Sequence, residues 1–244
     1  MNEIYHGSLY PTDIVIADDG STQETNDIVN TWSEKLPISH AWQEDKGFRK
    51  NRILNISLDK TMGDYIVFLD GDCIPHRKFI QDHKTHAERK FFIQGRRAFI
   101  KEKFVRDVLN NYKGILYYII TCKMTGILKA IRLPKPIIKI NQEQRGLIGC
   151  NFSAWKDDLV AINGFDLTYK GWGVGEDSDI CTRLYNYGLY RKFIYGRAIV
   201  YHLNHPQENK AHHAESLAKL ENVIKGETIA CAHGLNQCIK DFRN

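Results

Sequence analysis

Asp70-Gly71-Asp72 places two carboxylates one small residue apart, directly after the apolar run Tyr65-Ile66-Val67-Phe68-Leu69. From one loop, such a pair can reach a hard divalent cation with one carboxylate and a ribose hydroxyl with the other. A solvated turn is the competing reading, because Asp and Gly are ordinary turn residues. Position weighs against it, since ligands of open α/β sheets bind beyond the carboxyl ends of strands and this tripeptide lies at such an end. Asp18 and Asp19 close a second apolar run, Ile14-Val15-Ile16-Ala17, and offer acceptors for a base or ribose at the same sheet edge. One of them also suits the cap of a following helix.

Three further clusters carry chemistry. Gly171-Trp172-Gly173-Val174-Gly175-Glu176-Asp177-Ser178-Asp179 combines a turn-permissive loop, an aromatic platform for a sugar face and an acidic helix start. Asp177, on the loop side of that start, is the candidate general base for a sugar hydroxyl. Asp179 is equally explained by the helix dipole. His202 and His205 follow the apolar Ala198-Ile199-Val200-Tyr201, where a neutral imidazole can complete a metal site; structural histidines at strand ends are the alternative. Lys46-Gly47-Phe48-Arg49-Lys50-Asn51-Arg52 supplies cations for a diphosphate, with Arg49 and Arg52 as candidates, or simply a solvated helix start.

The elements that must hold these groups follow an α/β beat. Ile14–Ala17 is expected as a buried strand with a helix from Gln23. A helix over Lys50–Lys60 and a strand over Asp64–Leu69 repeat the unit. Phe91–Gly95, Leu147–Trp155 and Arg191–Tyr201 read as further strands. Asp177–Asn186 and Ala214–Lys225 read as helices, and Phe104–Arg132 has one long helical periodicity that Pro134 and Pro136 end.

The chain has 244 residues, 43% hydrophobic and 26% charged, which suits one α/β domain with a sizeable core. A net charge of +5 is too mild to indicate a nucleic-acid partner. The six cysteines form no CxxC pair and no zinc-like spacing, so reduced thiols and a cytoplasmic setting are expected. Met1–Gly7 lacks the features of a signal peptide, and no apolar run is long enough to span a bilayer. The amphipathic stretch Gly114–Lys139, with Lys123, Lys129, Arg132, Lys135 and Lys139, suits packing on the sheet or a peripheral membrane contact.

Taken in order, these motifs resemble family 2 glycosyltransferases with a galactosyltransferase-like C-terminal part, similar to bacterial chondroitin polymerase domains, from about Asp13 to about Asn209. Asp18-Asp19-Gly20-Ser21 looks like the family's nucleotide loop and Phe68–Asp72 like its Asp-X-Asp motif. Gly149-Cys150-Asn151 and Gly164-Phe165-Asp166 resemble acceptor-side elements, Gly171–Asp179 the Trp-Gly-Gly-Glu-Asp motif, and Tyr201-His202 the metal-ligand histidine. The resemblance implies a GT-A fold, a Rossmann-like α/β unit whose mostly parallel sheet is flanked by helices. One domain is expected: a nucleotide-sugar half over about 1–100, an acceptor half over about 101–210 and a helical tail beyond.

It further implies inverting transfer from a nucleotide-sugar, a UDP-sugar above all, to a glycan or glycolipid of bacterial surface polysaccharide or lipopolysaccharide. Asp18, Asp19, Arg49, Arg52 and Asp70 would bind the donor; Asp72 and His202 would hold Mn²⁺ or Mg²⁺. Asn151, Trp172 and Glu176 would face the acceptor, and Asp177 would be the base. The sequence departs from the family in two places: Val174 lengthens the Trp-Gly-Gly-Glu-Asp motif, and only twelve residues precede Asp13, where the family has a first βα unit. A sugar-nucleotide or glycan-binding remnant, and a phosphatase of the haloacid-dehalogenase kind with an aspartyl nucleophile in Asp-Gly-Asp, are the rival readings.

Overall fold

The computed structural model describes every residue except 144–146, 172–174, 207–212 and 244. In chain order the elements are α1 (Asn2–Tyr5), β1 (Ile14–Asp19), α2 (Gln23–Ser33), β2 (Ile38–Gln43), α3 (Lys50–Lys60), β3 (Tyr65–Leu69), β4 (Cys73–Pro75) and α4 (Phe79–His86). There follow β5 (Phe91–Gln94), β6 (Arg96–Ile100), α5 (Val105–Asn110), α6 (Ile115–Ile120), β7 (Met124–Thr125), α7 (Ile127–Ala130), β8 (Ile137–Asn141) and β9 (Asn151–Trp155). The chain continues through α8 (Lys156–Ala161), α9 (Glu176–Asn186), β10 (Tyr190–Tyr195), β11 (Ile199–Leu203), α10 (His213–Lys225) and α11 (Leu235–Arg243).

The α/β character and the first three expected strands stand, but the pairing is mixed rather than mostly parallel. Parallel ladders join β1 to β2, β5 to β10 and β6 to β11, whereas β3–β9, β5–β9, β8–β10, β4–β11 and β6–β7 are antiparallel. In the five-stranded order β3-β9-β5-β10-β8, β9 runs against both its neighbours and β8 against β10. An apolar run shows that a strand exists and says nothing of its direction. Among the described residues β1 and β2 form a sheet of their own, tied to the connection between α3 and β3 by Asp13, which accepts hydrogen bonds from Thr61 Oγ1 and Met62 N.

Two expected elements are broken. Arg191–Tyr201 is split into β10 and β11, with Ala198 at φ 47 between them. The long helix over Phe104–Arg132 is instead α5, α6, β7 and α7, interrupted at Cys122, whose φ is 54. Its apolar periodicity is used all the same: Val108, Tyr118, Met124 and Ala130 bury against Ala98, Ile100, Ile199 and Tyr201.

The break between β10 and β11 matches one between β5 and β6, and together they carry a parallel strand pair from the five-stranded sheet into the four-stranded order β4-β11-β6-β7. Asn151 staples this bend. Its Nδ2 donates to the carbonyls of Arg96 and Ala198, both at 2.8 Å. Its Oδ1 faces His83 Nε2 at 3.1 Å, and His83 Nδ1 lies 2.7 Å from Ser153 Oγ. Gly95 is required beside it, because a Cβ there would come within 2.3 Å of both Asn151 Oδ1 and the Ala198 carbonyl. Burial holds the His83 imidazole neutral, its pKa pushed down to about 4.

A second polar anchor lies under α9. Arg183 bonds Asp179 through Nε at 2.9 Å and Nη2 at 2.6 Å, and its Nη1 donates to the carbonyls of Ile162 and Gly164. Around it, Ile180, Cys181 and Leu184 pack with Phe92, Phe152, Leu159 and Phe165 in the main core. The structural reading of Asp179 therefore holds.

Removing one partner of such a pair strands a buried charge, so Asp179→Ala should cost about 3–5 kcal/mol in urea unfolding. Asn151→Ala leaves two carbonyls and an imidazole N–H unsatisfied and should cost about 3 kcal/mol in the same assay. An Asn151→Ala protein as stable as the parent would show that the bend does not need its staple.

Candidate active site

The β4–β11 register places His202 opposite Cys73, next to Asp72, and so joins residues far apart in sequence. Leu203 N donates to the Asp72 carbonyl at 2.8 Å, which holds the loop after β3 against β11. Asp72 Oδ2 then lies 3.0 Å from His202 Nε2 and 3.2 Å from His205 Nε2, and the two imidazoles stack at 5.5 Å. Burial pushes the Asp72 carboxyl up, but the hydrogen bond and charge of His202, with smaller help from Cys73 and His205, bring it below its ordinary value.

Asp177 arrives from the other side. The β3–β9 register sets Leu69 opposite Asn151, which brings Gly149 to the carboxyl end of β3. Gly149 N donates to Asp177 Oδ2 at 2.9 Å. A larger residue at position 149 would displace the Asp177 carboxylate, because a Cβ there would lie 2.2 Å from it. Burial, with Glu176 and Asp70 nearby, raises Asp177 to about 6 against the opposing pull of Lys50 and the Gly149 N–H.

Lys50, the first residue of α3, is the site residue that the sequence reading left among undifferentiated cations. Its Nζ is 3.3 Å from Asp70 Oδ1. Burial opposes its charge, but Asp70, Asp177 and Glu176 outweigh burial and raise its pKa. Its signal in the sequence was slight: it is one of four cations between Lys46 and Arg52.

Asp70, Asp72, Glu176, Asp177, His202 and His205 thus lie together, with Lys50 among them. Asp18, Asp19, Arg49 and Arg52 belong to a neighbouring network. Asp18 accepts the Ser21 N–H at 2.8 Å and faces His40 Nε2 at 2.9 Å; burial raises its carboxyl, and these bonds turn the net shift downward. Asp19 accepts from Gln43 Nε2 at 2.5 Å and from Arg49 N at 2.7 Å, which pins the start of α3 to β1. The Arg49 side chain donates to the Glu44 carbonyl, and Arg52 Nη1 donates to Gln43 Oε1 at 2.5 Å. Asn151, expected to face the acceptor, is fully buried and its amide is taken up by the bend, so that expectation is corrected. Trp172 lies outside the described residues.

A divalent cation fits this donor set. One ligand atom each from Asp72, Cys73 and His202 lie within 4.8 Å of one another. A hydrogen bond to Cys150 and burial push the Cys73 thiol up, which keeps it protonated and leaves carboxylate and imidazole as the ligands. Three carboxylates around one lysine, with Asp72 beside Cys73, also leave a local negative excess that a cation would offset.

The chain matches the family described as glycosyl transferase family 2 over residues 3–151, and that described as the N-terminal domain of galactosyltransferase over residues 135–206. It is 26% identical over 220 residues to the hyaluronan synthase of Pasteurella multocida, covering 82% of this chain and 22% of that protein. It is 24% identical over 234 residues to the chondroitin synthase of Escherichia coli, covering 85% and 32% respectively. Among solved structures, S. aureus TarS in complex with UDP-GlcNAc superposes with a TM-score of 0.62 at 17% identity, covering 100% of this chain and 66% of that one. GalNAc-T7 with UDP, GalNAc and Mn²⁺ gives a TM-score of 0.58 at 13% identity, covering 86% and 42%. The shared fold is GT-A, and the match over residues 3–151 displaces the phosphatase reading of Asp70-Gly71-Asp72. The chain belongs to glycosyl transferase family 2.

Proposed function

We propose that this chain is an inverting, metal-dependent glycosyltransferase that moves a sugar from a UDP-sugar to a hydroxyl of a glycan or glycolipid acceptor in bacterial surface polysaccharide or lipopolysaccharide synthesis. The observation that carries this reading is the Asp177 carboxylate, held by the Gly149 N–H beside Asp70 and Lys50, with its pKa raised to about 6. A carboxylate tuned there is ionised at neutral pH and still basic enough to take a proton from a hydroxyl in the transition state. The relatives named as hyaluronan and chondroitin synthases, and the neighbour holding UDP-GlcNAc, support the donor and acceptor classes.

In the proposed reaction the acceptor oxygen attacks the anomeric carbon as its proton passes to Asp177. The bond from that carbon to the diphosphate oxygen breaks, its electron pair leaves with the nucleoside diphosphate, and one displacement inverts the centre. Asp72, His202 and His205 would hold the cation, and imidazole donors favour Mn²⁺ over Mg²⁺. Bound there, the cation supplies positive charge to the leaving diphosphate. Lys50 keeps Asp177 ionised and orients Asp70 toward the donor. Asp18, Asp19, Arg49 and Arg52 shape the nucleotide end, while Glu176 lines the acceptor side.

A screen of nucleotide sugars for metal-dependent transfer tests the activity, and UDP binding without turnover on any acceptor would favour the binding remnant. Asp177→Asn should lower kcat by about 10²–10⁴-fold with UDP affinity unchanged. Near-normal turnover would remove Asp177 from the mechanism. In the parent, kcat/KM should fall as pH drops through about 6, because protonation there removes the base. Lys50→Met takes away the cation that lowers the Asp177 pKa, so the acid limb should move to higher pH. Mn²⁺ should raise the melting temperature of the parent by mass action, and Asp72→Ala or His202→Ala should abolish that rise.

A further inference from the structure

Helices α5, α6 and α7 each turn one side to β6 and β11, burying Val108, Tyr118 and Ala130. The sides turned away carry aliphatic residues. Leu116 and Ile120, one turn apart on α6, are 65% and 70% exposed, Leu109 on α5 is 67% exposed and Leu128 on α7 is 88% exposed. Ile131, Ile137, Ile138 and Ile140 continue the exposed run into β8. Eight of the sixteen exposed large hydrophobic residues in the described chain therefore lie within residues 109–140, a concentration in one segment that even scatter would not give.

The same segment holds the chain's positive charge. Residues 101–140 contain nine Lys or Arg and two acids, an excess of seven in a chain whose total excess is five. Arg132 is bound to Asp82, Lys123 to Asp107 and the exposed Lys139 to Glu143, while Lys103, Arg106, Lys113, Lys129 and Lys135 are exposed. Among the described residues no helix is long and apolar enough to cross a membrane.

We infer that residues 101–140 form a peripheral docking surface for an anionic phospholipid bilayer, with the α5–α7 aliphatics entering the interface and the flanking cations meeting the headgroups. A second copy of the chain is a poorer occupant, because a two-fold contact would set two basic faces against each other. The surface is continuous with the candidate active site. Lys101, Lys103 and Arg106 line an open cavity of about 760 Å³ together with Asn204, His205 and Pro206, and His205 faces Asp72. Docking thus brings the mouth of the metal site to the lipid headgroups. The inference stands on exposure and charge and does not require the proposed transfer reaction.

Co-sedimentation of the full chain with phosphatidylcholine vesicles, with and without phosphatidylglycerol, tests it. Binding to the anionic vesicles alone is expected, with release at high salt as the Debye length shortens to about 3 Å at 1 M. Lys129→Gln and Lys135→Gln should each weaken binding about fivefold. Leu116→Gln with Ile120→Gln, which leaves the charge unchanged, should weaken it about tenfold or more. These positions are exposed, and an unchanged thermal melt confirms that the variants fold. Equal binding to neutral vesicles, no binding to anionic vesicles at low salt, or indifference to the Leu116 and Ile120 substitutions would overturn the inference. So would a dimer in sedimentation equilibrium that the same substitutions dissociate.

Discussion

The fold turns on one buried amide. At the level of Gly95 and Ala198 a parallel strand pair leaves one sheet for another, and the carbonyls of Arg96 and Ala198 are met by the Asn151 side chain. Left without partners inside the protein, such carbonyls cost about 1–3 kcal/mol each, comparable with a sizeable share of a domain's net stability. Because Asn151 meets them, β11 enters the second sheet in register with β4, and His202 stands beside Asp72. The pairing of Asp72 with His202 depends in this way on a residue that touches neither of them.

Around the carboxyl end of β3, two carboxylates are tuned in opposite directions. Asp72 is brought down by the histidines on β11 and beyond it, which suits a ligand that must stay charged. Asp177 is brought up by burial and its acidic neighbours, which suits a base. Environment separates the two roles, as it does wherever acid and base chemistry share a cleft. Lys50 opposes the pull of Glu176 and Asp70 and so keeps Asp177 low enough to be ionised at neutral pH.

The segment that the structure breaks into α5, α6, β7 and α7 shows how one apolar pattern can be divided. Part of it packs on β6 and β11 and closes a satellite core, and the rest faces outward among lysines. Packing alone accounts for the first set and leaves the second unexplained. Charge and exposure together give the second set its meaning, since either one alone is common on protein surfaces.

Much of the site could be read from residue order. Asp-Gly-Asp after an apolar strand, an acidic helix start after a glycine-rich loop, and a histidine at a strand end are local features, set by turn chemistry and strand periodicity. For the same reason β1, α2, α3 and β3 fell where the pattern put them. Strand direction, the sheet change at Gly95 and Ala198, and the difference between Lys50 and its neighbouring cations were beyond the sequence, because each depends on what a distant segment brings alongside. Asn151 is the sharpest case: the motif around it suggested a ligand contact, and only the tertiary structure, by closing two strand breaks around its amide, made it the staple that positions the site.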